Sequence, residues 1–180
     1  MSYRSFVLWF TGLSGAGKST IGDIVYKRII EKGLKTERLD GDVLRGVFPS
    51  TGFSKEARDE HIKRVGYMAS RLEKHGVIVV ASFISPYIET RNIVRDMCDN
   101  FVEVHVKAPL DECERRDVKG LYRKDRSGEI NEFTGIDAPY EEPVKPEIAV
   151  DTAAESVDES VAIILEYLES NFSGDKRGSS

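Results

Sequence analysis

The apolar residues of this chain fall into short blocks that predict strands separated by helices. Residues 77–81 form a continuous apolar, β-branched run, which is typical of a parallel strand covered by helices on both faces. This strand is expected to lie centrally in its sheet. The apolar run 6–10 predicts the first strand of the chain, and shorter strands are predicted at 36–39, 101–106 and 148–150.

Between these strands, apolar residues recur at the spacing of an α-helix. The first such segment follows residue 20 and is expected to stop at Gly33. Ser54 is a suitable N-cap for a long helix that runs to about Lys74 and closes at Gly76. The remaining predicted helices are a short turn up to residue 47, segments 89–98 and 110–117, and an amphipathic segment around 157–168.

Strands that alternate with helices predict an α/β fold of three layers, a parallel sheet of about five strands with helices on both faces. We expect a single domain over residues 1–172 and a disordered tail at 173–180. Between 118 and 146 the pattern dissolves into glycine, proline and mixed charge. Because a long loop inside a compact domain is usually functional, about 118–146 is the predicted lid.

Composition restricts the possible partners. The net charge of −5 argues against a surface that follows nucleic acid. Cys98 and Cys113 form no close pair, which favours free thiols in a reducing compartment. The sequence contains neither an apolar stretch long enough to span a bilayer nor a signal peptide. We therefore expect a cytoplasmic protein that binds small-molecule nucleotides, with neither nucleic acid nor membrane as a partner.

The segment that follows the first strand fits the pattern G-x-x-x-x-G-K-[ST] in its required context between a strand and a helix. Its residues, the predicted ATP-binding loop, are Gly12, Leu13, Ser14, Gly15, Ala16, Gly17, Lys18, Ser19 and Thr20. Lys18 is expected to reach the β- and γ-phosphates, and the Ser19 hydroxyl to ligate Mg²⁺. The alternative is an ordinary Gly/Ser turn. The pattern favours a phosphate-loop NTPase fold.

Two carboxylates follow the second strand and are candidates for metal binding or general base chemistry. Asp40 and Asp42 flank a glycine, and ionised carboxylates both ligate Mg²⁺ and accept protons. A plain Asp-Gly turn is the alternative. The strand at 77–81 ends in Ser82 instead of aspartate, which strengthens the case for the pair. The phosphate loop, this pair and residues 82–86 all follow strand ends, so they are expected to meet in one crevice.

Two further features suggest a phosphate and base pocket, and each has a simpler explanation. Phe53 and Phe133 lie in separate loops, where they could stack a purine base or anchor the core. A basic cluster in the predicted lid region could close over phosphates, or it could be a solvated charged helix end. Its members are Arg115, Arg116, Lys119, Arg123, Lys124 and Arg126.

Together these segments resemble adenylyl-sulfate kinase, the enzyme that phosphorylates the 3′-hydroxyl of adenosine 5′-phosphosulfate (APS). The resemblance covers nearly the whole chain. It rests on GLSGAGKST at 12–20, LDGD at 39–42 with Arg45, GFS at 52–54, FISPY at 83–87, CERRDVKGLY at 113–122, FTGID at 133–137 and PYE at 139–141. It implies a compact phosphate-loop kinase, often a homodimer, that uses MgATP and makes 3′-phosphoadenylyl sulfate for sulfate assimilation.

The resemblance also implies roles for individual residues. Lys18, Asp40, Asp42 and Ser85 would be catalytic, Ser19 and Asp40 would hold the metal, and Arg116 would join the phosphate loop in binding ATP. Ser85 matches a serine proposed in this family as a phosphorylated intermediate, but direct in-line transfer is the better mechanism because a positioned hydroxyl needs no covalent relay. The acceptor would contact Asp42, Arg45, Phe53, Arg58, His61, Ile84, Ser85, Lys119, Leu121 and Phe133.

The chain departs from the family pattern on the acceptor side. An acid and an asparagine of the family are replaced by Ala57 and His61, and Asp125, Asn131 and Glu132 also differ. These changes leave two alternatives open. One is a related kinase for the 3′-hydroxyl of another activated nucleotide, such as cytidine diphosphoramidate in capsule biosynthesis. The other is a non-catalytic nucleotide-binding regulator.

Overall fold

The computed structural model describes residues 3–48, 54–129 and 133–174 of the chain. Within these ranges the strands are β1 (Val7–Thr11), β2 (Thr36–Asp40), β3 (Ile78–Ser82), β4 (Phe101–Lys107) and β5 (Ile148–Asp151). The helices are α1 (Lys18–Glu31), α2 (Gly41–Val47), α3 (Lys55–Lys74), α4 (Ile88–Met97), α5 (Leu110–Arg116), α6 (Leu121–Arg126) and α7 (Val157–Phe172). The predicted α/β pattern is confirmed.

The five strands form one parallel sheet in the order β2-β3-β1-β4-β5. The strand predicted at 77–81 lies inside the sheet, between β2 and β1. The middle position, however, belongs to β1, so the expected central position of the β-branched strand is only approximately right. Parallel neighbours require crossover connections, and these connections place helices over the sheet.

Side chains of β1 alternate between two apolar cores. Val7 and Trp9 face the core formed with α3 and α4, and Leu8 and Phe10 face the core formed with α1 and α7. All four are fully buried, and burial of each such side chain contributes about 1.5–3 kcal/mol. The two cores confirm the predicted three-layer architecture.

Helix α3 positions part of the site and has a well-defined start. The Ser54 hydroxyl accepts a hydrogen bond from the Ala57 N–H, as its predicted N-cap role requires. The helix packs closely on α4, since a Cβ added at Gly66 would lie 2.5 Å from Cγ2 of Val94. Glycine at this position therefore allows the close approach of α3 and α4.

The predicted lid contains a helix that the sequence pattern did not indicate. Helix α6 spans six residues, too few to show apolar periodicity. It forms because the Asp117 carboxylate accepts hydrogen bonds from the N–H groups of Tyr122 and Arg123, both at 3.1 Å, and thus satisfies the donors of its first turn. Burial of Tyr122 then holds the helix against the domain.

Two other features of the described residues bear on the expectations from composition. No helix in the described ranges is both long and apolar enough to cross a membrane. Cys98 and Cys113 are free thiols. The predicted disordered tail falls largely on residues 175–180, outside the described residues.

Candidate active site

A cavity of about 510 Å³ lies where the carboxyl ends of the strands meet. The phosphate loop after β1, the acidic pair after β2 and the segment after β3 all line it, as the strand order requires. Predicted site residues in its wall are Ser14, Gly15, Gly17, Lys18, Ser19, Thr20, Asp40, Asp42, Arg45, Arg58, His61, Ile84, Ser85, Arg116, Lys119, Leu121 and Phe133. Gly12, Leu13 and Ala16 lie in the loop behind this wall, and Phe53 lies outside the described residues.

Glycines in the phosphate loop are required by close packing as well as by backbone conformation. At Gly12 the φ angle is 153° and a Cβ would lie 2.4 Å from the carbonyl oxygen of Val106. At Gly15 the φ angle is 77° and a Cβ would lie 2.9 Å from the carbonyl oxygen of Cys113. No other residue fits these positions without displacing backbone. The loop is thereby held against β4 and α5, at the start of α1.

Lys18 is buried in this loop, and its ammonium group forms no ion pair with the carboxylates of the described residues. Its Nζ donates to the carbonyl oxygen of Leu13 at 2.6 Å. Burial lowers the pKa of Lys18 to about 8, and the nearby positive charge of Lys119 contributes to the same lowering. An anion such as a phosphate would supply the missing negative charge.

The two carboxylates of the acidic pair occupy different environments. Asp40 Oδ2 accepts hydrogen bonds from the Ser19 hydroxyl at 3.0 Å and from Arg38 at 3.3 Å, and its Oδ1 accepts from the Asp42 N–H at 3.0 Å. The Asp42 carboxylate, 60% exposed, forms an ion pair with Lys119 of the lid. Asp40 is therefore fixed beside the phosphate loop, whereas Asp42 stands at the mouth of the cavity.

The Ser19 and Asp40 oxygens fit a bound Mg²⁺, because both are hard oxygen ligands that converge beside the phosphate loop. Among the described residues no group of three or more histidine, cysteine or acidic side chains could hold a metal. Mg²⁺ usually takes one or two protein ligands and otherwise phosphate oxygens and water.

The opposite wall of the cavity comes from α3 and the lid. Arg58, buried in this wall, donates to the Thr134 hydroxyl at 2.8 Å. Phe133 meets Tyr122 edge to face, with ring centroids 4.9 Å apart, and it also lines the cavity. Phe133 thus anchors the core, as one of its two interpretations predicted, while its position in the cavity wall leaves the stacking of a base a prediction.

His61 is the least satisfied polar side chain of this wall. It is 2% exposed, and neither ring nitrogen has a hydrogen-bond partner within the described part of the chain. Phe48 and Phe83 lie edge-on to the ring at centroid distances of 6.4 and 6.0 Å. Burial lowers the pKa of His61, and the charges of Arg45 and Arg64 lower it further. The imidazole is therefore neutral and offers one donor and one acceptor to a ligand.

Ser85 sits in the segment after β3 with an unusual backbone. Its φ angle of 39° lies in the left-handed region that favours glycine. The residue is 2% exposed, and its hydroxyl oxygen accepts a hydrogen bond from Trp9 Nε1 at 3.1 Å. The hydroxyl is thus already held from the core side.

The basic cluster divides between the cavity and the surface. Arg116 and Lys119 line the cavity, and Arg116 is anchored by the Thr152 hydroxyl at 2.9 Å and the Thr152 carbonyl at 2.8 Å. Arg115 pairs with Glu112, and Arg126 with Glu114. Arg123 and Lys124 are exposed. Arg116 and Lys119 are therefore placed to close over phosphates. The other four residues fit the alternative, a solvated charged helix end.

Several residues of the cavity were not predicted. They are Ile21, Ile62, Val118, Thr134, Thr152, Glu155 and Val157, whereas Gly41, Ser82, Phe83 and Pro86 belong to the strand-end segments that were expected to meet in this crevice. Thr152 directly follows β5, so the rule that ligands bind at the carboxyl ends of strands could have found it. The apolar members carry no such signal because they resemble core residues.

Comparison with known proteins agrees with this geometry. The sequence model of the adenylylsulphate kinase family matches residues 4–151. The chain belongs to the adenylyl-sulfate kinase family. It is 51% identical over 169 residues to the adenylyl-sulfate kinase of Picosynechococcus sp., covering 93% of this chain and 96% of that one. It is 53% identical over 169 residues to that of Microcystis aeruginosa, covering 93% of each.

Solved structures place the chain in the same family. The APS kinase CysC of Mycobacterium tuberculosis, in complex with AMPPNP and APS, superposes with a TM-score of 0.88 at 41% identity, covering 93% of this chain and 99% of that one. Shikimate kinase from Aquifex aeolicus, at 19% identity and a TM-score of 0.51, shares the fold. As an adenylyl-sulfate kinase family member, the protein is an ATP-dependent phosphotransferase with a hydroxyl acceptor, as the sequence predicted.

Proposed function

We propose that the protein transfers the γ-phosphoryl group of ATP to the 3′-hydroxyl of APS, giving 3′-phosphoadenylyl sulfate for sulfate assimilation. The observation that carries this proposal is the meeting of the phosphate loop, the acidic pair and the α3–lid wall in one cavity. The identity of about half to named adenylyl-sulfate kinases over most of the chain supports APS as the acceptor.

ATP binds on the side of the phosphate loop. The N–H groups of residues 12–20 and the start of α1 receive the phosphates, and Lys18 pairs with them. Arg116, held by Thr152, adds a guanidinium next to Gly15, whose carbonyl oxygen lies 3.4 Å from its Nη1.

Ser19 and Asp40, whose side-chain oxygens lie 3.0 Å apart, would hold Mg²⁺. Bound there, the ion supplies neutralisation of the charge on the β- and γ-phosphates. Arg38 and the Asp42 N–H orient the Asp40 carboxylate, so the protein fixes this ligand before nucleotide arrives.

Asp42 receives the acceptor hydroxyl and accepts its proton. Its position at the cavity mouth and its pairing with Lys119, instead of with a core residue, support this role. Lys18 and Lys119 then stabilise the charge on the transferred group. Direct in-line transfer is favoured over a phosphoserine, because the Ser85 hydroxyl is buried and bonded to Trp9.

APS occupies the wall formed by α3, the segment after β3 and the lid. Phe133 stacks the adenine, and Ile84 and Leu121 provide apolar contacts. Arg45 and Arg58 bind the anionic phosphosulfate. His61 donates and accepts one hydrogen bond each in the place where the family pattern has asparagine.

An acceptor screen at fixed MgATP tests the proposal. APS, a cytidine diphosphate derivative and a no-acceptor control are compared by ADP release and by detection of the 3′-phosphorylated product. Turnover with APS that is lost in Lys18→Ala supports the proposal. Turnover confined to the cytidine compound would identify a related kinase of another nucleotide, and nucleotide binding without turnover would identify a regulator.

The assembly and location of the protein are part of the proposal. We expect a homodimer, as the family resemblance implies, and light scattering of the purified protein distinguishes it from larger assemblies such as the hexameric APS kinase of Thiobacillus denitrificans. The two free cysteines support a reducing, cytoplasmic environment.

A further inference from the structure

Arg91 of α4 lies outside the cavity wall, yet it bonds to the segment after β3, which lines the cavity, and to Glu141 in the predicted lid region. The residue is 2% exposed. One guanidinium nitrogen donates to the carbonyl oxygen of Ser85 at 2.6 Å, and another donates to the carbonyl oxygen of Glu141 at 2.7 Å. A single planar group therefore joins the segment after β3 to the end of the lid.

The first of these segments needs such support. Ser85 has a φ angle of 39°, a conformation that a non-glycine residue keeps only where its surroundings hold it. The preceding carbonyl, that of Ile84, accepts from the Thr11 hydroxyl at 2.7 Å. Arg91 and Thr11 thus fix two successive carbonyl groups of the segment that presents Ile84 and Ser85 to the cavity.

The second segment is tied directly to the first. The Glu141 N–H donates to the Pro86 carbonyl at 2.8 Å, and the Glu141 carboxylate accepts from the Ile88 N–H at 2.7 Å. The Tyr140 hydroxyl lies 3.0 Å from the Thr11 hydroxyl, and the Tyr140 ring centroid lies 5.9 Å from Cζ of Arg91. The lid therefore ends on the same set of groups that hold Ser85.

The orientation of Arg91 is fixed from behind. Its Nε donates to Glu103 Oε1 at 2.7 Å, and Glu103 also pairs with Arg95 at 3.3 Å. Arg95 in turn pairs with Glu147 at 2.6 Å. A guanidinium held at Nε by a carboxylate directs its two remaining nitrogens in one plane, which is the arrangement that reaches both carbonyls.

We propose that Arg91 is a positioning residue for the acceptor: it clamps the Ser85 segment and the lid end together, so that both walls of the acceptor pocket keep one arrangement. The role rests on the proposed function and deepens it. The clamp acts on the acceptor side, because neither carbonyl it holds belongs to the phosphate loop.

The test compares Arg91→Lys with Arg95→Gln. Lysine keeps the positive charge beside Glu103 but reaches at most one of the two carbonyls. Arg95 also pairs with Glu103, but within the described ranges it bonds neither Ser85 nor Glu141. The Arg95 variant therefore reports the effect of disturbing the ion pairs without removing the two carbonyl contacts. KM for APS, KM for ATP and the melting temperature are measured for each, with hydrogen exchange of the amides in 83–88 and 140–142.

For Arg91→Lys we expect KM for APS to rise about tenfold or more, since a lost charge-assisted hydrogen bond changes an equilibrium by about that factor. KM for ATP stays within about twofold, and exchange rises in both segments. Arg95→Gln lowers the melting temperature without either change. If Arg91→Lys does not fold, Glu103→Gln, which loosens the same guanidinium with little change in volume, is expected to act in the same direction.

The results of these measurements test the clamp and the proposed function separately. Unchanged exchange and unchanged KM for APS in a folded Arg91→Lys protein would overturn the clamp. Equal effects of Arg91→Lys and Arg95→Gln would also overturn it, since the role would then be structural only. Wild-type protein that is inactive with APS refutes the proposed function, whereas the exchange comparison still decides whether Arg91 joins the two segments.

Discussion

Replacing His61 with leucine is expected to stabilise the protein while weakening its binding of the acceptor. In the free protein both ring nitrogens are buried without partners among the described residues, and each unsatisfied buried polar group costs about 1–3 kcal/mol. Leucine removes that cost, although imperfect packing between Phe48 and Phe83 returns about 1 kcal/mol. For the two nitrogens together the net gain is about 1–5 kcal/mol, which corresponds to a rise of about 2–20 °C in melting temperature for a domain of this size.

The stabilisation of the folded protein by His61→Leu should increase as the pH falls. The pKa of His61 is lowered in the folded state, so below about pH 6.5 the unfolded chain binds a proton that the folded chain binds less well. Wild-type stability therefore decreases through this range more than that of His61→Leu. Calorimetric melting at pH 5.5 and 7.5 measures the difference directly.

The same substitution removes the donor and the acceptor that His61 offers to APS. Loss of one or two hydrogen bonds at about 0.5–1.5 kcal/mol each raises KM for APS by roughly 3- to 100-fold, with KM for ATP little changed. His61→Asn, which restores the amide of the family pattern, should keep KM for APS near the wild-type value.

His75→Leu is the matched control, because His75 is an exposed histidine at the far end of the same helix. It should change neither KM for APS nor KM for ATP. If His61→Leu instead lowers the melting temperature at both pH values, or leaves KM for APS unaltered, the view of His61 as an unpaired group facing the acceptor is wrong.

Four further outcomes are expected. Asp42→Asn should lower kcat by about 10²-fold or more if Asp42 accepts the hydroxyl proton, with nucleotide binding by calorimetry retained as the control. Tyr122→Phe removes the hydrogen bond to the Ser14 carbonyl at 2.9 Å and should cost about 1 kcal/mol, seen as a severalfold rise in KM for ATP. Gly66→Ala places its Cβ 2.5 Å from Val94, and it should destabilise the protein, because overpacking costs about 1–3 kcal/mol whereas alanine improves helix stability by about 1 kcal/mol. Chemical denaturation should show that Gly66→Ala costs less stability when Val94→Ala is also present. Removal of Mg²⁺ by EDTA should weaken binding of AMPPNP in calorimetry, and unchanged affinity would exclude Ser19 and Asp40 as metal ligands for the nucleotide complex.

Much of the fold and of the nucleotide-binding side could be predicted from the sequence. The glycines of the phosphate loop are dictated by backbone conformation and close contacts, and such requirements appear directly in the residue types. Apolar periodicity located the strands and most helices because burial on a sheet face depends mainly on position within each element. The order of loops at the strand ends follows from the rules for parallel sheets, and residue order alone therefore predicts that Lys18, Ser19 and Asp40 meet in one crevice.

The arrangement of the acceptor side could not be predicted in the same way, because it depends on contacts between segments far apart in the chain. Sequence could not divide the roles of Asp40 and Asp42, because the difference arises from Arg38 and Ser19 on one side and from Lys119 on the other. It did not predict α6, whose six residues are held by Asp117 and by the burial of Tyr122. The lack of hydrogen-bond partners for His61 among the described residues, and the clamp made by Arg91, likewise depend on which polar groups the neighbouring elements place beside these side chains. Local residue patterns specify backbone and periodicity, whereas burial and pairing of a polar side chain are properties of the assembled tertiary structure.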